Sequence, residues 1–179
     1  MILQKIRTAI GHSLNGRKRL RPCSLQHKKL NEITKILVVA NALESETNEA
    51  INNLKQLTKE LCPKSETTFI CYSEPGSHKQ TLISYNGMEY FGKKDFSFFF
   101  KINNENLRNY LAPEYDLAFF ISSTKNTYIK FISNYIRARI KVGRRDEDTG
   151  DFNFMIDTKT KSKLQLTNEM IKNLEMIFG

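Results

Sequence analysis

The chain has 179 residues, 40% of them hydrophobic, and a formal net charge of +9. This length and apolar content suffice for one sizeable core but not for two ordinary domains with a linker, so we expect a single domain. The longest apolar runs contain about five residues, against the roughly 20 that a membrane-spanning helix requires. We therefore expect no membrane span.

Two features favour a cytoplasmic location. The three cysteines are an odd number without Cys-x-x-Cys spacing, which is typical of reduced thiols rather than of a disulfide framework. Lys5 and Arg7 interrupt the first hydrophobic positions, so the N-terminus lacks the continuous apolar segment of a secretory signal.

The positive charge is concentrated at the start of the chain. Residues 1–35 contain nine basic residues and one acidic residue, a net charge of +8, and the remaining 144 residues contribute only +1. We therefore divide the chain into a basic N-terminal helix and arm, residues 1–32, and one nearly neutral α/β domain, residues 33–179. The partner of the arm becomes the first functional question.

The first predicted element is a short amphipathic helix, because Ile2, Ile6, Ile10 and Leu14 recur every four residues. Three roles stay open for it: packing on the domain's own surface, lying on an anionic membrane surface, or docking on a protein partner. Residues 17–22 follow as an exposed, charged connector that ends in a proline.

A β-α-β unit comes next. Residues 33–40, which contain the apolar run 36–40, are expected to form a strand buried on both faces, and residues 67–72 form a second strand of the same type. Between them, residues 42–62 carry one apolar helical face and stop at Pro63. Residues 73–87 are the least interpretable stretch, a loop with a short strand at 81–85, and the sequence leaves the structure of residues 73–92 open.

The second half of the chain continues the alternation of strands and helices. Its predicted elements are an aromatic strand or edge segment at 95–102, a helix capped by Asn103 or Asn104 that ends near Pro113, a strand at 116–122, a helix at 127–138, strands at 140–142 and 152–157, and a final helix at 164–178. This order predicts an α/β Rossmann-like or flavodoxin-like three-layer sandwich around a mostly parallel sheet.

Ligands of such sheets bind beyond the carboxyl ends of the strands, so a site is expected in the loops there. The loop at 41–47 contains no glycine and carries Glu44 and Glu46, which disfavours a phosphate, and Ser45 or Thr47 is expected to cap the next helix. The later segment Ser122, Ser123, Thr124 and Lys125 is a better anion-binding candidate, because hydroxyls and a lysine precede a helix. The alternative is that one hydroxyl caps that helix and Lys125 points into water.

Basic residues supply the candidate nucleic-acid interface. Those of the arm are Arg17, Lys18, Arg19, Arg21, Lys28 and Lys29, and a second group contains Arg144 and Arg145. Helical spacing would put Lys130 and Arg137 on the same side as an extension of the second group. Alternatively, the acidic residues 146–148 neutralise these arginines locally.

No complete catalytic motif occurs, so the sequence gives no reason to propose an enzyme, although it does not exclude one. Asp116, Asp151 and Asp157 show no evident pairing, and Cys23 with His27 is a single pair at ligand-like spacing. We expect neither a bound metal nor a cofactor.

Three segments resemble known families: Tyr-Asp-Leu-Ala-Phe-Phe-Ile at 115–121, Ala-Arg-Ile-Lys-Val-Gly at 138–143, and Phe-Met-Ile at 154–156. After a basic N-terminal helix, this order resembles a family of short bacterial proteins that share a domain of unknown function, which implies a bacterial cytoplasmic protein and no activity. More loosely, it is similar to the N-terminal Rossmann-like half of heptosyltransferase-like glycosyltransferases. Those enzymes bind the sugar nucleotide mainly in a second half, for which this chain has no room, so the likeness implies the fold alone.

Two functional hypotheses result. The first is a non-catalytic module that binds structured RNA, such as ribosomal RNA, or a ribonucleoprotein through the basic arm, since cationic side chains neutralise phosphates. The alternative is an α/β domain that binds a small molecule or nucleotide, or an enzyme that acts on one, with its site at residues 122–126.

Overall fold

The computed structural model describes residues 29–74, 88–122, 126–145, 152–157, 160 and 162–179. The strands there are β1 (Lys35–Asn41), β2 (Glu66–Tyr72), β3 (Met88–Phe91), β4 (Glu114–Ile121), β5 (Arg137–Arg144) and β6 (Phe154–Ile156). The helices of the same part of the chain are α1 (Thr47–Leu61), α2 (Glu105–Leu111), α3 (Thr127–Ser133) and α4 (Lys163–Phe178). Short 3-10 turns form at Leu30–Glu32 and Lys93–Asp95.

The six strands form one sheet in the order β3-β2-β1-β4-β5-β6, and every neighbouring pair is parallel. Val38 at the centre of β1 lies opposite Phe69 of β2 and Phe119 of β4. This is the strand order of the Rossmann fold, whereas the flavodoxin order places β3 beside β1. The predicted α/β class is confirmed, in its Rossmann-like form.

Helices cover both faces of the sheet. Ile36, Val38 and Ala40 of β1 pack with α1 and α4 on one face, and Leu37 and Val39 pack with α2 and α3 on the other. All five side chains are fully buried. A strand between two helical layers needs apolar residues at every position, which explains the continuous apolar run seen in the sequence.

Asp116 joins the strands at the amino edge of the sheet. Its Oδ2 accepts hydrogen bonds from the Thr34 N–H at 2.9 Å, the Thr34 hydroxyl at 3.0 Å and the Lys35 N–H at 3.3 Å. Its Oδ1 lies 3.5 Å from Arg139 Nε. Since ligand sites of this fold lie at the other edge, this nearly buried carboxylate has a structural role.

The predicted helix at 127–138 is too long. α3 ends at Ser133, and the strand expected at 140–142 extends over Arg137–Arg144 as β5. The spacing of Ile132 and Ile136 imitates a helix, but pairing with the whole of β4 outweighs that local preference. Arg137 therefore lies in a strand, and the prediction that it shares a helix face with Lys130 is wrong.

The aromatic segment at 95–102 is also not a strand. A 3-10 turn at Lys93–Asp95 leads into a tight loop closed by a single bridge between Phe96 and Ile102. β3 at Met88–Phe91 was missed, because a strand of four residues gives little periodic signal. The strand expected at 81–85 lies outside the described residues.

Candidate functional site

The candidate site lies at the carboxyl ends of β1 and β4. The strand order reverses between β1 and β4, since β1 has β2 on its other side. The connections that leave β1 and β4 therefore diverge and open a crevice between them. Asn41 ends β1, and Ser122 follows the last residue of β4. Polar side chains at this position are placed where Rossmann-like domains receive ligands.

The Glu44 carboxylate contacts three other polar side chains of the crevice. Its Oε1 accepts hydrogen bonds from Asn41 Nδ2 at 2.8 Å and from the Ser122 hydroxyl at 2.7 Å. Its Oε2 lies 3.1 Å from Nζ of Lys163, whose side chain is 2% exposed. Asn41, Glu44, Ser122 and Lys163 are called the Glu44 cluster below.

The first turn of α4 is fastened to the loop between β1 and α1. The Lys163 ammonium also donates to the Ser45 carbonyl. Glu46 Oε2 accepts from the Ser162 hydroxyl at 2.8 Å and from the Lys163 N–H at 3.0 Å. These bonds, the one from Ser162 above all, hold the pKa of Glu46 below its usual value. These contacts with α4 therefore hold the loop in place.

The cap predicted for α1 is wrong. Glu46 precedes the helix with a left-handed backbone (φ 59°) and makes no side-chain cap. The Thr47 hydroxyl instead donates to the carbonyls of Asn41 at 2.8 Å and Glu44 at 2.9 Å. The Thr47 hydroxyl, which was predicted to cap α1, therefore holds the loop against the end of β1 instead.

Tyr72 and Glu74 extend the polar edge past β2. The Tyr72 hydroxyl donates to Glu74 Oε1 at 2.9 Å, and burial, together with this carboxylate, raises the pKa of Tyr72. The Tyr72 ring stacks on Tyr128 of α3, with centroids 5.4 Å apart and an angle of 12°. This contact links the end of β2 to the helix that follows β4.

Ser122 is the member of the predicted anion site that the structure describes, while Ser123, Thr124 and Lys125 lie outside the described residues. Its hydroxyl donates to Glu44 and so faces a carboxylate. The cap of α3 is Asn126, whose Oδ1 accepts from the N–H groups of Tyr128 at 2.9 Å and Ile129 at 3.1 Å. The expectation that a serine or threonine hydroxyl caps this helix is wrong.

The described basic residues of the predicted nucleic-acid interface do not meet. Lys29 is exposed before the amino end of β1, whereas Arg144 and Arg145 lie at the carboxyl end of β5. Arg145 Nη1 lies 3.5 Å from Asp157 Oδ2, and both side chains are exposed. Arg17, Lys18, Arg19, Arg21 and Lys28 lie outside the described residues, so their part of the interface stays a prediction.

Two residues of the Glu44 cluster, Asn41 and Lys163, were not predicted as site residues from the sequence. A signal was present, since Lys163 continues the buried stripe of α4 formed by Leu166, Met170 and Leu174. A lysine on an apolar helical stripe is seldom buried without a carboxylate partner. Glu44 was singled out, but as a group that repels phosphate rather than as the partner of a lysine.

The described part of the chain meets the requirements neither of a metal site nor of a membrane-spanning helix. Within it, no group of three or more histidine, cysteine, aspartate or glutamate side chains is arranged to hold a metal ion. No helix there has the length and apolar character needed to cross a bilayer.

A family of unknown function, DUF6913, matches residues 8–177. The chain belongs to this family. No curated protein matches it at a significant level. The predicted membership in a family of unknown function is therefore confirmed.

One solved structure is similar to this member of DUF6913, the E. coli heptosyltransferase WaaC with ADP. The TM-score is 0.50 at 10% sequence identity, and the similarity covers 82% of this chain. The chain spans about half of the length of that protein, since 48% of it is covered. At this identity the likeness shows the fold, and it confirms the resemblance predicted from residues 115–121 and 138–143.

Proposed function

We propose that this domain binds a small hydroxyl-rich ligand, a sugar or the sugar of a nucleoside, in the crevice between β1 and β4. The observation that carries the proposal is the position of the Glu44 cluster, where the strand order reverses. A carboxylate, an amide and a hydroxyl converge there from two different loops. Such groups are the usual partners of ligand hydroxyls in mostly preformed sites.

The charges of the crevice favour hydroxyls over phosphate. The ammonium of Lys163 is neutralised by Glu44, and residues 41–47 include no glycine that would let backbone amides approach a phosphate. Glu74 follows β2 by two residues, and an acidic residue near this place hydrogen-bonds ribose hydroxyls in Rossmann domains. Glu44 and Glu74 thus supply two acceptors for a sugar.

The structural neighbour supports a ligand of this class. Its structure contains ADP, which carries a ribose, and it shares the fold of this chain. Its glycosyl transfer is not carried over, because this chain spans about half of that protein. We therefore propose ligand binding and no reaction.

Saturation-transfer NMR with mixtures of monosaccharides, nucleosides and nucleoside diphosphates tests the proposal. We expect transfer to the sugar protons of at least one compound. Ser122→Ala should weaken binding several-fold, because it removes one hydroxyl of the Glu44 cluster while leaving the buried pair intact. Ser65→Ala, at the opposite edge of the sheet, is the matched control. Absence of transfer from all three classes, or equal effects of the two variants, would contradict the proposal.

Association with RNA through the basic arm is a second candidate, and the observation in its favour is the charge of +8 in residues 1–35. None of the comparisons with known proteins points to RNA. Fluorescence anisotropy with a structured RNA at increasing salt concentration measures it. Replacing Arg17, Lys18, Arg19 and Arg21 by glutamine should then reduce both the affinity and its salt dependence, whereas binding independent of these residues would refute the candidate.

A further inference from the structure

Two adjacent phenylalanines stand out on the surface of the described residues. The side chains of Phe98 and Phe99 are 52% and 48% exposed, and their rings contact each other edge to face with centroids 5.2 Å apart. Exposed large apolar residues are unremarkable singly, but a neighbouring aromatic pair on one loop indicates a contact surface. These two residues are called the Phe98–Phe99 tip.

The loop that carries the tip is held rigidly. Hydrogen bonds run from the Ser97 N–H to the Lys101 carbonyl at 2.8 Å and from the Phe100 N–H to the Ser97 carbonyl at 3.0 Å. Phe100 adopts a positive φ of 59°, and its buried ring stacks on Phe131 with centroids 4.0 Å apart. A bulky residue keeps such a backbone only where its surroundings enforce it. Packing of Phe100 therefore holds the preceding pair outward.

Exposed lysines flank the tip in the sequence. Lys93, Lys94 and Lys101 are exposed within ten residues of sequence, and Asp95 is the single acidic residue of that segment. Asp95 is buried, and its carboxylate accepts from the Gly92 N–H at 2.7 Å and from Asn104 Nδ2 at 2.9 Å. The exposed part of the segment thus combines two aromatic rings with three ammonium groups.

We propose that the Phe98–Phe99 tip inserts into the surface of a membrane that contains anionic lipid, with Lys93, Lys94 and Lys101 on the lipid headgroups. Insertion of phenylalanine side chains at the boundary of headgroups and acyl chains is favourable, and each lysine near an anionic surface adds attraction. One aromatic pair with three lysines gives reversible rather than permanent attachment. The charge complementarity selects an anionic bilayer over a neutral one.

Fluorescence of an introduced tryptophan tests the insertion directly, because the chain contains no tryptophan of its own. Phe99→Trp is titrated with vesicles of phosphatidylcholine alone and of phosphatidylcholine with phosphatidylglycerol. We expect a blue shift of the emission, and quenching by brominated acyl chains, with the anionic vesicles only. Met176→Trp, at a position that is 75% exposed in α4, is the control and should show neither change.

The tryptophan emission distinguishes insertion of the tip from electrostatic attraction of the basic arm to the vesicles. The arm would bring the protein to anionic vesicles without placing residue 99 in the bilayer, so sedimentation alone does not decide the matter. Unchanged emission of Phe99→Trp on vesicle-bound protein would overturn the proposal. A blue shift without lipid that grows with protein concentration would also overturn it, in favour of contact with a second copy.

A charge series completes the test in the Phe99→Trp background. Replacing Lys93, Lys94 and Lys101 by glutamine should weaken vesicle binding by about tenfold or more, since each lysine acts within a Debye length of the surface. The matched control replaces the exposed lysines Lys55, Lys59 and Lys64, which lie on and just after α1. Equal losses for the two triple variants would contradict a specific role of the tip.

Discussion

Lys163 Nζ lies 3.1 Å from Glu44 Oε2, and both side chains are almost completely shielded from water. The two residues are 119 positions apart in the sequence, so this ion pair fastens the last helix to the loop that follows the first strand. Both the candidate ligand site and the packing of α4 depend on it.

Lys163→Met should destabilise the protein by about 3–5 kcal/mol, because it leaves the Glu44 carboxylate buried without its partner. Urea unfolding measures the change. The double variant Lys163→Met, Glu44→Leu should recover much of the loss, since it removes the second charge as well. Lys172→Met, at an exposed position of the same helix, is the control and should change little. Equal effects of the two single lysine variants would contradict a structural role of the pair.

Asp116→Ala should lower the free energy of unfolding by about 1–3 kcal/mol, because Asp116 is buried and the part-buried N–H groups of Thr34 and Lys35 lose their acceptor. Asp157→Ala removes a carboxylate from an exposed ion pair and should cost less than about 1 kcal/mol. Parallel chemical denaturation of the two variants compares them. A cost for Asp157→Ala as large as that for Asp116→Ala would show that burial does not decide the effect.

Gly143→Ala should destabilise the domain by about 1–3 kcal/mol through overcrowding. A Cβ at this position would come within 3.2 Å of three ring atoms of Phe152, whose ring also packs on Phe120 with centroids 4.5 Å apart. Adding Phe152→Leu to Gly143→Ala should relieve the crowding. A double-mutant cycle by thermal unfolding measures this coupling, and additive effects would refute the contact.

Cys62 and Cys71 should resist alkylation in the folded protein. Burial raises the pKa of Cys62 to about 11 and that of Cys71 to about 12. In a Cys23→Ser variant at about pH 8, where the thiolate is the reactive form, mass spectrometry should find label only after unfolding. Rapid labelling of native protein would contradict the burial of these thiols.

The same two thiols predict a loss of stability in alkali. Their pKa in the folded state exceeds the value of 9.0 that applies when the thiol is exposed, so the unfolded chain loses these protons first. The contribution of the buried, protonated thiols to the free energy of unfolding is complete below about pH 9. It declines as the pH rises towards the pKa values of Cys62 and Cys71 in the folded state. Replacing both residues by alanine should remove this part of the pH dependence.

Much of the fold could be predicted because burial on both faces imposes a strong local pattern. The apolar run of β1 and the stripe of α4 were identified within a few residues of their bounds. The boundary between α3 and β5 was not, because Ile136 fits either period and only pairing with β4 decides. A local hydrophobic pattern therefore predicts a strand or helix well when all of its residues lie in the same kind of environment.

The candidate site was harder to predict, since its contacts join distant segments. Ser122 was named, but its partner Glu44 lies 78 residues earlier and the lysine that completes the cluster lies 41 residues later. Asn126 caps α3, and its place directly before the predicted start of the helix was a signal that the sequence interpretation did not use. Which polar groups meet is determined by the strand order, and the sequence states that order only indirectly.

The central position of β1 also affects how the chain folds during synthesis. β1 meets β2 as soon as residues 35–72 are available, but its other partner, β4, ends at residue 121. Until then the most apolar strand is transiently an edge strand with one row of unpaired N–H and C=O groups, which is an opportunity for aggregation. We therefore expect the strand that is most protected in the folded domain to be the one most open to aggregation in the nascent chain.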